Sequence, residues 1–139
     1  MRTAVITGGA KGIGRGIALD LGQRGWNVAV NYHTSAAAAE EVVTEVTRSG
    51  GRAVAIQADV SDPAAVAELG SRVAAELGPV HALVHCVGPY HRVPILEETS
   101  EGFRGMFAQN LDSFFLCAKA FSAPMIAAKW GRIIAFGMA

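Results

Sequence analysis

The chain has only two cysteines, Cys86 and Cys117, and they stand 31 positions apart with no CxxC spacing around either. That is too little for a disulfide framework, and it fits a reducing compartment, so a cytoplasmic protein is expected. No charge of one sign prevails: 12 Lys and Arg stand against 12 Asp and Glu, with a pI near 6.9. Without a long-range field, nucleic acid and anionic membrane are poor partners, and any anion site must be local. Nothing approaches the length of an apolar membrane span, roughly 20 residues. The first apolar stretch, Met1 to Thr7, meets Gly8-Gly9 too soon to be a signal h-region, so a mature, soluble N-terminus is expected. Aromatics are few at 7%. What is abundant is small and aliphatic: 51% of the 139 residues are hydrophobic and 16 are glycine. A chain of this size and composition can bury the core of one globular domain.

Short β-branched or apolar runs alternate with longer stretches of helical period from one end to the other, the pattern of βαβ units. Strands are expected over 3–7, 26–32, 52–59, 82–87 and 133–136. Between them, a helix over 12–25 carries Ile13, Ile17 and Leu21 on one face. A second, over 35–49, is capped by Thr34 or Ser35 and turns Ala39, Val42, Val43 and Val46 inward. A third starts at Ser61-Asp62-Pro63, where a capping hydroxyl, an acid and a proline fall together, with Val66, Leu69, Val73 and Leu77 as its stripe. A long helix is expected from about 100 to 129, with Phe103, Phe107, Leu111, Phe115 and Ala118 on one stripe and Pro124 ending or kinking it. Helical crossovers make the sheet parallel and place ligands beyond the carboxyl ends of its strands.

Directly after the first strand stands Thr7-Gly8-Gly9-Ala10-Lys11-Gly12-Ile13-Gly14, with the next helix opening inside it. Strand before and helix after are the context that makes a glycine loop a dinucleotide site. Gly8 permits the tight turn, Gly12 lets the backbone around Ile13 approach a pyrophosphate, and Gly14 allows close helix and sheet packing. The anion then rests on free N–H groups at the helix N-terminus. A nucleoside triphosphate loop needs Lys after its last glycine, whereas Lys11 precedes Gly12.

The TGGAKGIG spacing resembles that of the short-chain dehydrogenase/reductase family. Further matches follow in order along the whole chain: Asp59-Val60, Gly88, Asn110-Leu111 and Gly131-Arg132-Ile133-Ile134. The likeness is nearest to 3-oxoacyl-acyl-carrier-protein reductases. It implies an α/β fold, a doubly wound Rossmann sheet of strand order 3-2-1-4-5, incomplete relative to the family, so that residues 1–139 form one NADP(H)-binding domain cut short at its C-terminal end. It implies reversible hydride transfer between a nicotinamide and a carbonyl carbon, with Asp59 accepting from the adenine amine, Val60 packing on the ring, Gly88 closing on the coenzyme and Asn110 holding a proton-relay water. At the end of the second strand, where NAD-dependent relatives place a carboxylate, stand Asn31, Tyr32, His33, Thr34 and Ser35. No carboxylate repels a 2'-phosphate there, and Lys11, with Arg15 as a second, brings positive charge, so NADP(H) is the expected cofactor. The resemblance also implies a homo-oligomer, with the long helix packing on its copy and its phenylalanines serving either that seam or the sheet.

The family pattern breaks in three places. Where its serine stands, after the fifth strand, the sequence has Met138, which cannot donate a hydrogen bond, and no YxxxK occurs. Two readings stay open: a portion of a longer carbonyl reductase, or a half-length, non-catalytic NADP(H)-binding or scaffold protein that needs a partner to cover the apolar edge of 132–136. The family's Asn-Asn-Ala-Gly is replaced by His85-Cys86-Val87-Gly88, so His85 is either a stand-in for an asparagine tie between strands or a satisfied core histidine. His85, Cys86 and His91 make a poor metal set, because alternation points the first two to opposite faces, and no metal is expected. Tyr90 and His91, at the mouth where a substrate carbonyl would sit, are candidates for the missing donor.

Overall fold

The computed structural model describes residues 1–136. Five strands, β1 (Thr3–Thr7), β2 (Asn27–Tyr32), β3 (Arg52–Gln57), β4 (Val80–His85) and β5 (Arg132–Ala135), form one parallel sheet in the order β3-β2-β1-β4-β5. The parallel direction is the one expected from the crossovers, and the order is the one the family resemblance implies. All five residues of β1 are buried, which is why its sequence, TAVIT, shows no polar alternation: both faces are covered. Alternate residues feed two cores. Ile6, Val28, Val30 and Val84 pack on one face with Ala18, Ala39, Val42 and Val46 of helices α1 (Gly12–Gln23) and α2 (Ala36–Arg48). Val5, Ala29, Ile56 and Leu83 pack on the other with Val66, Leu69 and Val73 of α3 (Pro63–Leu77) and with Cys117, Phe121 and Met125.

Helix α1 packs Ile17 and Leu21 of its expected stripe against the core but departs from it at Ile13. It turns Gly14, Ala18 and Gly22 inward and leaves Ile13 62% exposed. The reason is proximity: a Cβ on Gly22 would lie 2.6 Å from Val46 Cγ1, so only small residues fit the seam between α1 and α2. In α2, Val43 is only half-buried beside the buried Ala39, Val42 and Val46. Ser35 is its N-cap residue but makes no side-chain cap bond. Helix α3 is capped by the Asp62 carboxylate, which accepts from the N–H groups of Ala64 and Ala65, and Ser61 turns to Asp59 instead. The shifts at β3 and β4 follow the ladder: pairing with β2 stops at Gln57, and pairing with β1 runs from Val80 to His85.

The expected single long helix is three pieces: α4 (Ser100–Phe107), a π-helical turn (Ala108–Asp112) and α5 (Ser113–Ala127). Pro124 does not end α5, which continues to Ala127. Phe103, Phe107, Leu111 and Phe115 are 42–60% exposed, whereas Ser113, Cys117, Phe121 and Met125 are the buried face. The aromatic stripe therefore does not serve the sheet. Its small and polar rivals hid the true inner face because Ser113 is buried to make a hydrogen bond rather than an apolar contact. Strand β5 is an exposed edge, with Ile133, Ile134 and Phe136 41–52% exposed. At the amino end of the sheet, the Arg2 guanidinium lies 4.0 Å from the Trp130 ring centroid and Arg132 5.0 Å from it, closing the pole opposite the glycine loop with cation–π contacts. Among the described residues, no helix is long and apolar enough to cross a membrane.

Candidate functional site

A groove of about 360 Å³ opens at the carboxyl ends of β1, β2, β3 and β4. Four chain segments supply its wall: Gly8, Ala10 and Lys11 after β1; Asn31 to Ser35 at the end of β2; Ala58 to Ser61 after β3; and Val87 and Pro89 after β4, with Gln109 and Ser113 beyond. It thus brings together Gly8, Lys11, Asn31, Tyr32, Ser35, Asp59 and Val60 of the residues singled out from the sequence. Gly12, Ile13, Gly14, Gly88 and Asn110 lie outside its wall. His33, Thr34, Gln109 and Ser113 are additions; the first two lie in the β2 loop already marked for coenzyme choice, and the last two carried no local signal.

The glycine loop does what its spacing requires. Gly8 and Gly12 have φ of +62° and +54°, where a side chain is strained. A Cβ on Gly14 would collide with the Gly8 carbonyl oxygen, so the helix starts in contact with the turn that precedes it. A Cβ on Gly12 would meet nothing within 4 Å, leaving space against the first helical turn. Lys11 is the N-cap residue and offers no capping oxygen, and no acidic side chain lies in the first turn. The first N–H groups of α1 therefore point outward uncapped, at the positive end of the helix dipole. In contrast, α3 and α4 are closed by Asp62 and Thr99.

Asp59 is exposed and Ser61 donates to its Oδ1 twice, from N–H at 2.9 Å and from Oγ at 2.7 Å. Those bonds, the hydroxyl first, hold its carboxyl below the usual range and keep it ionised. Oδ2 has no hydrogen-bond donor among the described residues. The Asn31 side chain is buried, and its amide donates to the Ile56 and Ala58 carbonyls, tying β2 to the end of β3 where the residue lines the groove. Arg15 is diverted, paired with Glu45 of α2 at 2.6 Å, so the second positive charge does not line the groove. Lys11 makes no ion pair among the described residues. Tyr90 is 69% exposed and His91 pairs with Glu98 in the same loop; neither lines the groove. Gly88 and Asn110 abut: a Cβ on Gly88 would lie 2.5 Å from Asn110 Oδ1, and Asn110 Nδ2 donates to the Met106 carbonyl at 2.9 Å. Met138 lies outside the described residues.

His85 is buried with both ring nitrogens engaged, Nδ1 with Thr7 Oγ1 at 2.9 Å and Nε2 with Ser113 Oγ at 3.1 Å. It ties β1 to β4 and the sheet to α5, and the adjacent Cys86 packs in the opposite core. Burial pushes its pKa from 6.5 down to about 4. Its neutral form is the one the fold prefers, so the unfolded chain binds the proton more readily between those values. Stability is full above pH 6.5 and falls as pH drops toward 4, by up to on the order of 3 kcal/mol. His85→Gln should lack this loss, so the urea midpoints of the two proteins should converge as pH falls from about 7 to about 4.5. Midpoints that stay parallel would contradict it.

The chain matches the family model for short chain dehydrogenase over residues 2–137. It is 36% identical over 133 residues to a 3-oxoacyl-[acyl-carrier-protein] reductase of Synechocystis sp., covering 96% of this chain and 54% of the relative. It is also 36% identical over 145 residues to an NADPH-dependent aldehyde reductase-like protein, chloroplastic, of Arabidopsis thaliana, covering 96% and 54%. In three dimensions it matches a 7α-hydroxysteroid dehydrogenase complexed with NADH and 7-oxo glycochenodeoxycholic acid, with a TM-score of 0.92 at 30% identity over 97% of this chain and 52% of that one. The chain spans about half the length of the curated relatives it matches. The glycine turn, the parallel sheet in the order 3-2-1-4-5 and a match along nearly every residue lead to one conclusion: the chain belongs to the short-chain dehydrogenase family of oxidoreductases.

Proposed function

We propose that the protein is an NADP(H)-dependent reductase of a carbonyl compound, of the 3-oxoacyl type or a related ketone. The observation that carries the coenzyme choice is the groove itself, where Lys11 shares a wall with Tyr32, His33, Thr34 and Ser35 and no carboxylate follows β2. The residues fit a dinucleotide: an uncapped helix start beside open space at Gly12 for the diphosphate, an ionised Asp59 with one oxygen unused for the adenine amine, and Val60 as apolar wall. Gly8, Gly12, Ile13 and Gly14 would hold the diphosphate, and Lys11, Tyr32 and Ser35 the 2'-phosphate side. The bound coenzyme supplies the hydride. Asn110, fixed beside Gly88, is proposed to hold a proton-relay water. The names of the acyl-carrier-protein and aldehyde reductases support a carbonyl substrate, and family membership favours an enzyme over a scaffold. A homo-oligomer is supported by the exposed aromatic stripe of α4 and α5, and a cytoplasmic location by the unpaired cysteines.

The test is a titration of the intact protein with NADPH and with NADH, since the steroid dehydrogenase neighbour is complexed with the latter. NADPH is expected to bind more tightly. Lys11→Ala should weaken NADPH by about tenfold and leave NADH nearly unchanged, as loss of one charge-assisted contact to a phosphate predicts. Equal losses for both coenzymes would place Lys11 away from the 2'-phosphate.

A further inference from the structure

The buried groups around His85 admit one arrangement of protons. Ser113 Oγ lies 2.7 Å from the Gln109 carbonyl oxygen, which can only accept, so the single serine proton goes there. His85 Nε2 must then donate to Ser113 Oγ. Nδ1 is left as an acceptor, and Thr7 Oγ1 donates to it while accepting from the Cys86 N–H at 3.1 Å. The chain of donors runs one way, from Cys86 N–H through Thr7, His85 and Ser113 to the carbonyl of Gln109. A charged ring would aim two N–H groups outward and leave the Thr7 proton, on a fully buried residue, without an acceptor.

The chain ends in a particular place. Gln109 and Asn110 both belong to the π-helical turn, where backbone bonding shifts to i→i−5, as from the Ser113 N–H to the Ala108 carbonyl. Ser113 Oγ serves the Gln109 carbonyl, and Asn110 Nδ2 serves that of Met106. We infer that His85 is a positioning residue, held as the neutral Nε2–H tautomer, which locks Ser113 onto the π turn and so fixes the Asn110 side chain against Gly88. The structural part of this inference stands on the hydrogen bonds alone; its effect on turnover rests on the proposed reductase activity.

Nitrogen chemical shifts of the histidine rings in the intact protein test it without any coenzyme. His85 should show a protonated Nε2 and a bare Nδ1, unchanged from about pH 7.5 to about pH 5, where an ordinary histidine becomes charged. A protonated Nδ1, or a ring that titrates in that range, would overturn the inference. In Ser113→Ala the ring loses its acceptor, so the tautomer signal should become mixed and the Asn110 amide resonances should shift, while Ser113→Thr restores both. An Asn110 signal indifferent to Ser113→Ala would overturn the positioning role. Turnover of acetoacetyl-CoA with NADPH should fall about tenfold in kcat for Ser113→Ala, with KM for NADPH within about twofold. If wild type reduces no carbonyl yet shows the stated tautomer, the functional reading fails and the positioning inference holds.

Discussion

Gly12→Asp is expected to weaken NADPH binding by more than about a hundredfold while the protein stays folded. The new Cβ meets no protein atom within 4 Å, so the fold itself is not crowded. Aspartate tolerates the φ of +54° found there at roughly 1–2 kcal/mol. Its carboxylate, however, would occupy the uncapped N–H groups of the first turn of α1 and repel the diphosphate meant for them. Isothermal titration beside a urea melt measures both effects, and Gly12→Asn, of equal bulk without charge, should lose far less affinity. Equal losses for the two variants would mean that space rather than charge governs the site.

Gly14→Ala should fail in the opposite manner. Here the added methyl collides with the Gly8 carbonyl oxygen and crowds the Gly9 Cα at 3.0 Å, both of them backbone atoms that no rotamer change can move aside. The start of α1 must withdraw from β1, at about 1–3 kcal/mol of stability, the range of overpacked cores. The withdrawal also misaligns the amides, and NADPH affinity should fall by about a hundredfold. A variant that melts and binds as wild type does would show that α1 and the glycine turn are not held in contact.

Much of this was legible in the residues because it is local. β1 and β2 are runs of apolar or β-branched residues, α3 carries a clean stripe of Val66, Leu69, Val73 and Leu77, and the glycine loop states its turn in its spacing. What escaped detection depends on neighbours distant in sequence. The inner face of α1 is small because Val46, more than twenty residues later, presses against Gly22. The inner face of α5 begins with Ser113 because His85 reaches it from β4, and hydrophobic periodicity cannot report a buried hydroxyl. Asn31 stands at the groove by its place at the end of β2, but that its amide ties β2 to the end of β3 depends on the Ile56 and Ala58 carbonyls, more than twenty residues away. Arg15 was a sound candidate by position and was captured by Glu45, a partner no window around residue 15 contains.

Calorimetric titration of the intact protein with NADPH, and in parallel with NADH, goes to the root of the account. One saturable site per chain, with NADPH the tighter ligand and heat abolished by Gly12→Asp, is the predicted result; a flat trace with both coenzymes would contradict it.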